Sequence, residues 1–149
     1  MADPVVRTYD SKKIAMSFTT PAGNSIISGR GLPDGDFLAI TAPDTFEGVD
    51  GADGGHDRVN MNNGTYDVEI TLKKTSPVND ELAAIFEADK TSNTGKGVLN
   101  IVDGNGTMYL KSQQAYIVKN TDLTLGKSMS TTTWVFKAPL ALFNPGYNL

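Results

Sequence analysis

Tyr66-Asp67-Val68-Glu69-Ile70-Thr71-Leu72-Lys73-Lys74-Thr75-Ser76-Pro77-Val78-Asn79-Asp80-Glu81-Leu82 decides the fold class. Through Lys73 the apolar residues Tyr66, Val68, Ile70 and Leu72 alternate with Asp67, Glu69, Thr71 and Lys73. That period of two predicts a strand with one face in a core and the other in solvent. The period then changes. Ser76 offers an N-cap oxygen, and Pro77 fits the first helical position, where an N–H would have no helical partner. Asp80 and Glu81 sit near the positive end of the helix dipole. Val78, Leu82, Ile85 and Phe86 then recur at helical spacing as one apolar stripe, and Lys90 stands in the last turn before the linker 91–95.

Working outward, most other segments are short and strand-like. Ile14, Met16 and Phe18 alternate with polar neighbours up to Pro21, and 21–24 carry turn residues. Residues 25–28 and 37–41 predict two further strands, separated by a Gly- and Pro-bearing loop at 29–36. After the helix, 98–102 and 107–111 flank Asp103-Gly104-Asn105-Gly106, which predicts a hairpin. Residues 115–118 continue the β run, and 131–138, with Trp134-Val135-Phe136, form the last strand. The tail after Pro139 holds Leu140, Leu142, Phe143 and Tyr147, too apolar to be left without a partner. The expectation is a mainly β two-sheet sandwich or barrel with one flanking helix, built as a single domain over 1–149.

Residues 44–63 are acidic and Gly-rich. A structureless loop of about 20 residues is improbable in a compact domain, and Arg58-Val59-Asn60-Met61 alternates. An extended hairpin arm with its tip at 51–55 is expected instead.

Composition narrows the function. The chain has 149 residues, a net charge of −4 and no cysteine, so disulfides, thiolate metal sites and cysteine nucleophiles are excluded. Seven acids (Asp34, Asp36, Asp44, Glu47, Asp50, Asp53, Asp57) lie between Arg30 and Arg58 with no cation among them. Nucleic-acid binders neutralise phosphates with clustered Lys and Arg, and no such cluster exists here. No apolar run approaches the roughly 20 residues that span a bilayer, and the N-terminus lacks a secretory h-region. The chain therefore reads as made in a cytoplasm, with no membrane partner.

Catalysis finds no constellation. His56, the sole histidine, has Asp53 and Asp57 nearby but no evident nucleophile. The oxygens of 50–57 could attract calcium, yet their spacing is not that of an EF-hand loop. Neither enzyme activity, nor a metal, nor a cofactor is expected. Trp134 could serve as a sugar platform, which would make the chain a soluble carbohydrate- or protein-binding module. Its place in an apolar strand favours the core.

The order of these pieces resembles a known family. Asp34-Gly35-Asp36-Phe37, Thr45-Phe46 and Gly48-Val49-Asp50-Gly51-Ala52-Asp53-Gly54 come first. The alternating strand into Thr75-Ser76-Pro77-Val78-Asn79-Asp80 and Leu82 follows, then Gly97-Val98-Leu99 and the Asp103, Gly106, Thr107 hairpin. Ala115, Lys119, Gly126-Lys127 and Trp134-Val135-Phe136 complete it. Over roughly 12–138 the chain is similar to the tail tube proteins of contractile-tailed phages, which are related to type VI secretion and pyocin tubes. The resemblance implies a homo-oligomer of six subunits per ring. It implies rings stacked inside a sheath, with baseplate and tail-terminator proteins as partners and DNA passing through without specific binding. It also implies a virion address after assembly in the host cytoplasm. Under it, Asp67 and Glu69 become candidates for the lumen wall, where acids would repel phosphates over about 8–10 Å at physiological salt. Asp50, Asp53, His56, Asp57 and Arg58 become candidates for contacts between rings.

Overall fold

A computed structural model describes residues 13–27, 37–103 and 108–145. The segments expected at 28–36, the turn at 104–107 and the end of the tail lie outside these residues. The described elements, in chain order, are β1 (Ile14–Thr20), β2 (Gly23–Ile26), β3 (Leu38–Thr41), β4 (Phe46–Asp50) and β5 (His56–Asn60). They continue with β6 (Tyr66–Lys73), α1 (Val78–Ser92), β7 (Gly97–Asp103), β8 (Met108–Lys119), β9 (Thr131–Ala138) and β10 (Leu142–Phe143).

Eight strands follow one antiparallel path, β2-β1-β7-β8-β9-β6-β3, with β10 added beside β8. The path folds into two facing sheets because β8 belongs to both. Its first half pairs with β7 and β10, and its second half pairs with β9. Ala115 is opposite Gly97 while Ser112 is opposite Leu99, so three steps on β8 match two on β7. This β-bulge bends the strand and shifts its inward parity. Leu110 and Ser112 point inward before it, Ala115 and Ile117 after it, and Gln113 and Gln114 are both left outside. The Ser112 hydroxyl accepts from the Gln114 N–H (3.4 Å) and donates to the Pro139 carbonyl (2.8 Å), holding the bend.

Between the sheets lies the core expected from the alternating residues. Phe18 from β1 meets Phe136 from β9 edge-to-face at 5.1 Å, with Met16, Leu99, Ile101, Val68, Ile70 and Leu72 around them. Trp134 is 1% exposed, so it belongs to this core and offers no platform to a sugar.

The helix lies across one side of the sandwich. Val78, Leu82 and Ile85 are buried and Phe86 packs at the margin, as the stripe predicts. Burying each such side chain stabilises by about 1.5–3 kcal/mol. The start is shifted by one residue from the expected one: Pro77, with helical φ, is the N-cap and brings no side-chain cap, the helix begins at Val78, and Ser76 outside it accepts from the Val78 N–H at 3.3 Å. Asn93 ends it in the left-handed conformation (φ 57°), its N–H bonded to the Asp89 carbonyl.

Asn79 in the first turn joins helix to sheet. Its amide nitrogen reaches the carbonyls of Lys73, Lys74 and Ser76 at 3.0–3.2 Å. Its oxygen accepts from Thr132 Oγ1 (2.7 Å) and from Trp134 Nε1 (2.9 Å).

Three expectations need correction. The runs at 107–111 and 115–118 are one bulged strand, because an extra residue, not a turn, interrupts the alternation. Strand β2 starts at Gly23, since the turn at Pro21-Ala22 is only two residues long. The apolar tail is partly used: Leu142 and Phe143 pair with Lys111 and Leu110, and Phe143 rests on Tyr66 with ring centres 5.1 Å apart.

Gly97 marks the closest approach of β7 to β1. A Cβ there would collide with the backbone carbonyl of Thr19 and lie 2.9 Å from Thr20 Cα. Backbone cannot swing aside as a side chain can, so Gly97→Ala is expected to destabilise by at least about 3 kcal/mol. Chemical denaturation of the variant, compared with Gly126→Ala, where a Cβ meets nothing within 4 Å, measures this; an unchanged midpoint would refute the close approach.

Candidate assembly surfaces

The expected arm is present. Strands β4 and β5 form their own two-stranded sheet, with Phe46 opposite Asn60, Gly48 opposite Arg58 and Asp50 opposite His56. The Gly-rich tip closes through Gly51 N–H to Gly55 O (2.7 Å) and Gly55 N–H to Asp53 Oδ1 (3.0 Å). Gly54 takes φ +87°, which only a residue without Cβ adopts cheaply. Every residue of both strands is exposed.

Alternation separates the arm into two faces. On one, His56 Nδ1 lies 2.6 Å from Asp50 Oδ1, and its ring covers Gly48, where a Cβ would be only 2.7 Å away. Arg58 stacks over the Phe46 ring at 4.3 Å, a cation–π contact on the same face. Glu47, Val49, Asp57 and Val59 point to the opposite face, and Met61 continues their parity just beyond β5. Of the five residues expected at contacts between rings, Asp50, His56 and Arg58 thus share the first face, Asp57 the second, and Asp53 stays at the tip.

Asp67 and Glu69 lie on the solvent face of the β3-β6-β9 sheet, as alternation requires. They do not stand alone there. Lys137 is opposite Asp67 across β6 and β9 and pairs with it at 2.5 Å, with both side chains partly exposed. Lys73 occupies the same face of β6, and Thr71 and Thr133 meet at its centre, their hydroxyls 3.4 Å apart. The face is therefore charge-balanced rather than purely acidic.

Other exposed surface was not singled out by sequence reasoning. The connection 120–130 displays Leu123 (70% exposed), Leu125 (74%) and Met129 (63%). Thr124 O receives both Ser130 Oγ (3.0 Å) and Lys74 Nζ (3.2 Å), which folds the loop back, and Met129 Sδ accepts from Thr75 Oγ1 at 3.9 Å. The signal was in the sequence, since Leu123 and Leu125 alternate too briefly to define a strand. Among the described residues the path ends at β2 in one sheet and at β3 in the other, four residues each. Among the described residues no group of three or more His, Asp or Glu is placed to hold a metal ion, and no helix is long and apolar enough to cross a membrane.

An exposed arm and an exposed apolar loop on a two-sheet core are surfaces suited to assembly, and comparison with known proteins gives the class, a phage tail structural protein. The chain belongs to the family described as Bacteriophage PhiTE tail tube protein, which it matches over residues 6–140. It is 30% identical over 147 residues to structural protein ORF10 of Pseudomonas phage KPP10, covering 97% of this chain and 79% of that one. Among solved structures it is similar in fold to the tube terminating cap of the anti-feeding prophage. The TM-score is 0.56 at 10% identity, with 95% of each chain covered.

The Asp67–Lys137 pair has a measurable consequence. The hydrogen bond from Lys137 to the Asp67 carboxylate, and the carboxylate's charge, hold the ammonium above the ordinary lysine range. A raised folded value means the pair's small contribution is fully present at neutral pH and is lost only as pH climbs through the Lys137 titration. A side-chain NMR titration should show Lys137 deprotonating at lower pH in Asp67→Asn than in the unsubstituted chain. An unchanged Lys137 titration in that variant would refute the pairing.

Proposed function

We propose that the whole chain acts as a single tail-tube domain, a structural subunit without catalysis. Copies close into hexameric rings, and the rings stack into the conduit through which phage DNA is ejected. Assembly takes place in the host cytoplasm, with sheath, baseplate and tail-terminator proteins as partners. The observation that carries this reading is the arm: two five-residue strands with no exposed surface covered by their own body. An isolated two-stranded hairpin is marginal in water, so a contact with another copy gives it a use. The short strand β3, which ends the path in its sheet among the described residues, supports lateral joining around a ring, since sheet edges favour pairing with another chain. A head-to-tail contact between identical subunits closes when its rotation allows.

Asp67 and Glu69 are proposed to line the lumen. Lys137 offsets Asp67, which leaves Glu69 as the stronger source of repulsion, and the threonines between them give a polar, non-gripping wall. Asp50, Asp53, His56, Asp57 and Arg58 are proposed to lie in the region where one ring meets the next.

Negative-stain microscopy of the purified chain should show rings or rods about one tube wide. Deleting residues 52–55 should stop rod growth while leaving the circular dichroism spectrum and melting temperature of the body unchanged; rods of normal length would remove the arm from stacking. Replacing Asp67 and Glu69 together with Lys should add a DNA-retaining surface that weakens steeply with salt. An assembled structure with these carboxylates on the sheath side would overturn their assignment.

A further inference from the structure

We infer that the arm docks through its Val49, Val59 and Met61 face onto the 120–130 loop of a second copy of this chain, with Asp57 meeting Lys127. The inference rests on the tube reading and names the two surfaces that join. Four observations carry it.

First, the two faces of the arm are unequally satisfied. Phe46, Asp50, His56 and Arg58 already engage one another on one face. Val49, Val59 and Met61 on the other are exposed apolar side chains among the acids Glu47 and Asp57. Second, the loop offers the complement. Leu123, Leu125 and Met129 are its exposed apolar residues, and Lys127 lies among them. Around the loop Lys74, Lys119 and Lys127 outnumber Asp122, whereas the arm holds Asp44, Glu47, Asp50, Asp53 and Asp57 against Arg58. Apolar matching with opposite charge gives both adhesion and register.

Third, the surfaces sit at opposite ends of the same sheet. The arm leaves β3 at Thr41 and enters β6 at Tyr66, whose partner is Ala138 at the end of β9. The loop enters β9 at Thr131, opposite Lys73 at the other end of β6. Eight residues of strand separate the two ends by roughly 24 Å. Docked to a second copy, they repeat along the strand direction and produce an open stack, because a heterologous contact without closing rotation propagates. Fourth, of the six apolar residues more than 60% exposed among the described residues (Ile26, Leu123, Leu125, Met129, Leu140 and Leu142), three lie in this one loop.

Charge exchange and cross-linking test this in the full chain. Asp57→Lys and Lys127→Glu should each lower the sedimentable rod fraction at least about tenfold, and the double variant should restore it to within about twofold, as expected for one opposed charge pair. Both positions are exposed, so circular dichroism and melting should stay unchanged in all three. Because the chain has no cysteine, Val59→Cys with Leu125→Cys should yield a ladder of covalent oligomers when rods are oxidised, and neither single variant should. Wild-type rods with normal growth in both charge variants, a double variant as defective as the singles, or oxidised rods without a ladder would overturn this contact and leave the tube reading standing. A wild-type chain that stays monomeric under all assembly conditions would overturn the tube reading, and the contact with it.

Discussion

One strand must serve two sheets, and the register slip in β8 makes that possible. A regular strand keeps its inward side chains at one parity throughout. Without the slip, burying Leu110 and Ser112 would also bury Gln114 and Tyr116, and would turn Ala115 and Ile117 to water. The extra residue at Gln113–Gln114 reverses parity at the point where β8 leaves β7 and joins β9. A second shift near Lys119 then releases the strand into the loop that displays Leu123 and Leu125. The placement of β9 and β6, and therefore of the arm and the loop at their two ends, follows from this crossing.

Asn79 fixes the other junction. Few residues could replace it, because the site needs a donor toward three carbonyls and an acceptor toward two side chains at once. An aspartate would place negative charge against carbonyl oxygens, and a leucine would leave Trp134 Nε1 buried without a partner, a loss of about 1–3 kcal/mol. The residue ties the β6-to-α1 turn to the start of β9. It thereby fixes the helix stripe over the core and positions the beginning of the last strand, next to the exposed loop.

Local chemistry made much of this architecture readable. Alternation in β6, the helical stripe and the Gly-rich tip of the arm each state their structure within a few residues and appear where expected, while the Ser76-Pro77 start lies one residue off, with Pro77 as the cap. Pairing is different, because it depends on residues far apart in the chain. Asp67 looks like a free wall acid until β9 sets Lys137 opposite it, and nothing in the local sequence around either residue announces that register. A bulge is equally hard to read: 107–111 and 115–118 each alternate correctly, and only their opposite parity hints that a single strand contains both. The exposed apolar residues of 120–130 were visible, but the alternation of Leu123 and Leu125 is too short to define a strand, so they carried no structural assignment.

The proposed assembly uses two nearly perpendicular directions of the same sandwich. Hydrogen bonding runs across strands, so an end strand such as β3 would extend its sheet sideways, which is the direction of the proposed ring. Side chains at the strand ends act along the strands, which is the direction of a stack. Because the edges rely on backbone groups and the ends on side chains, the two contacts can differ in strength and in sensitivity to salt. A subunit built this way can close a ring without stacking, and it can stack while its sheet face stays free of clustered cations. In the proposed tube that separation would keep the lumen face independent of the surfaces that join copies, so its charge could be set by the passage of DNA alone.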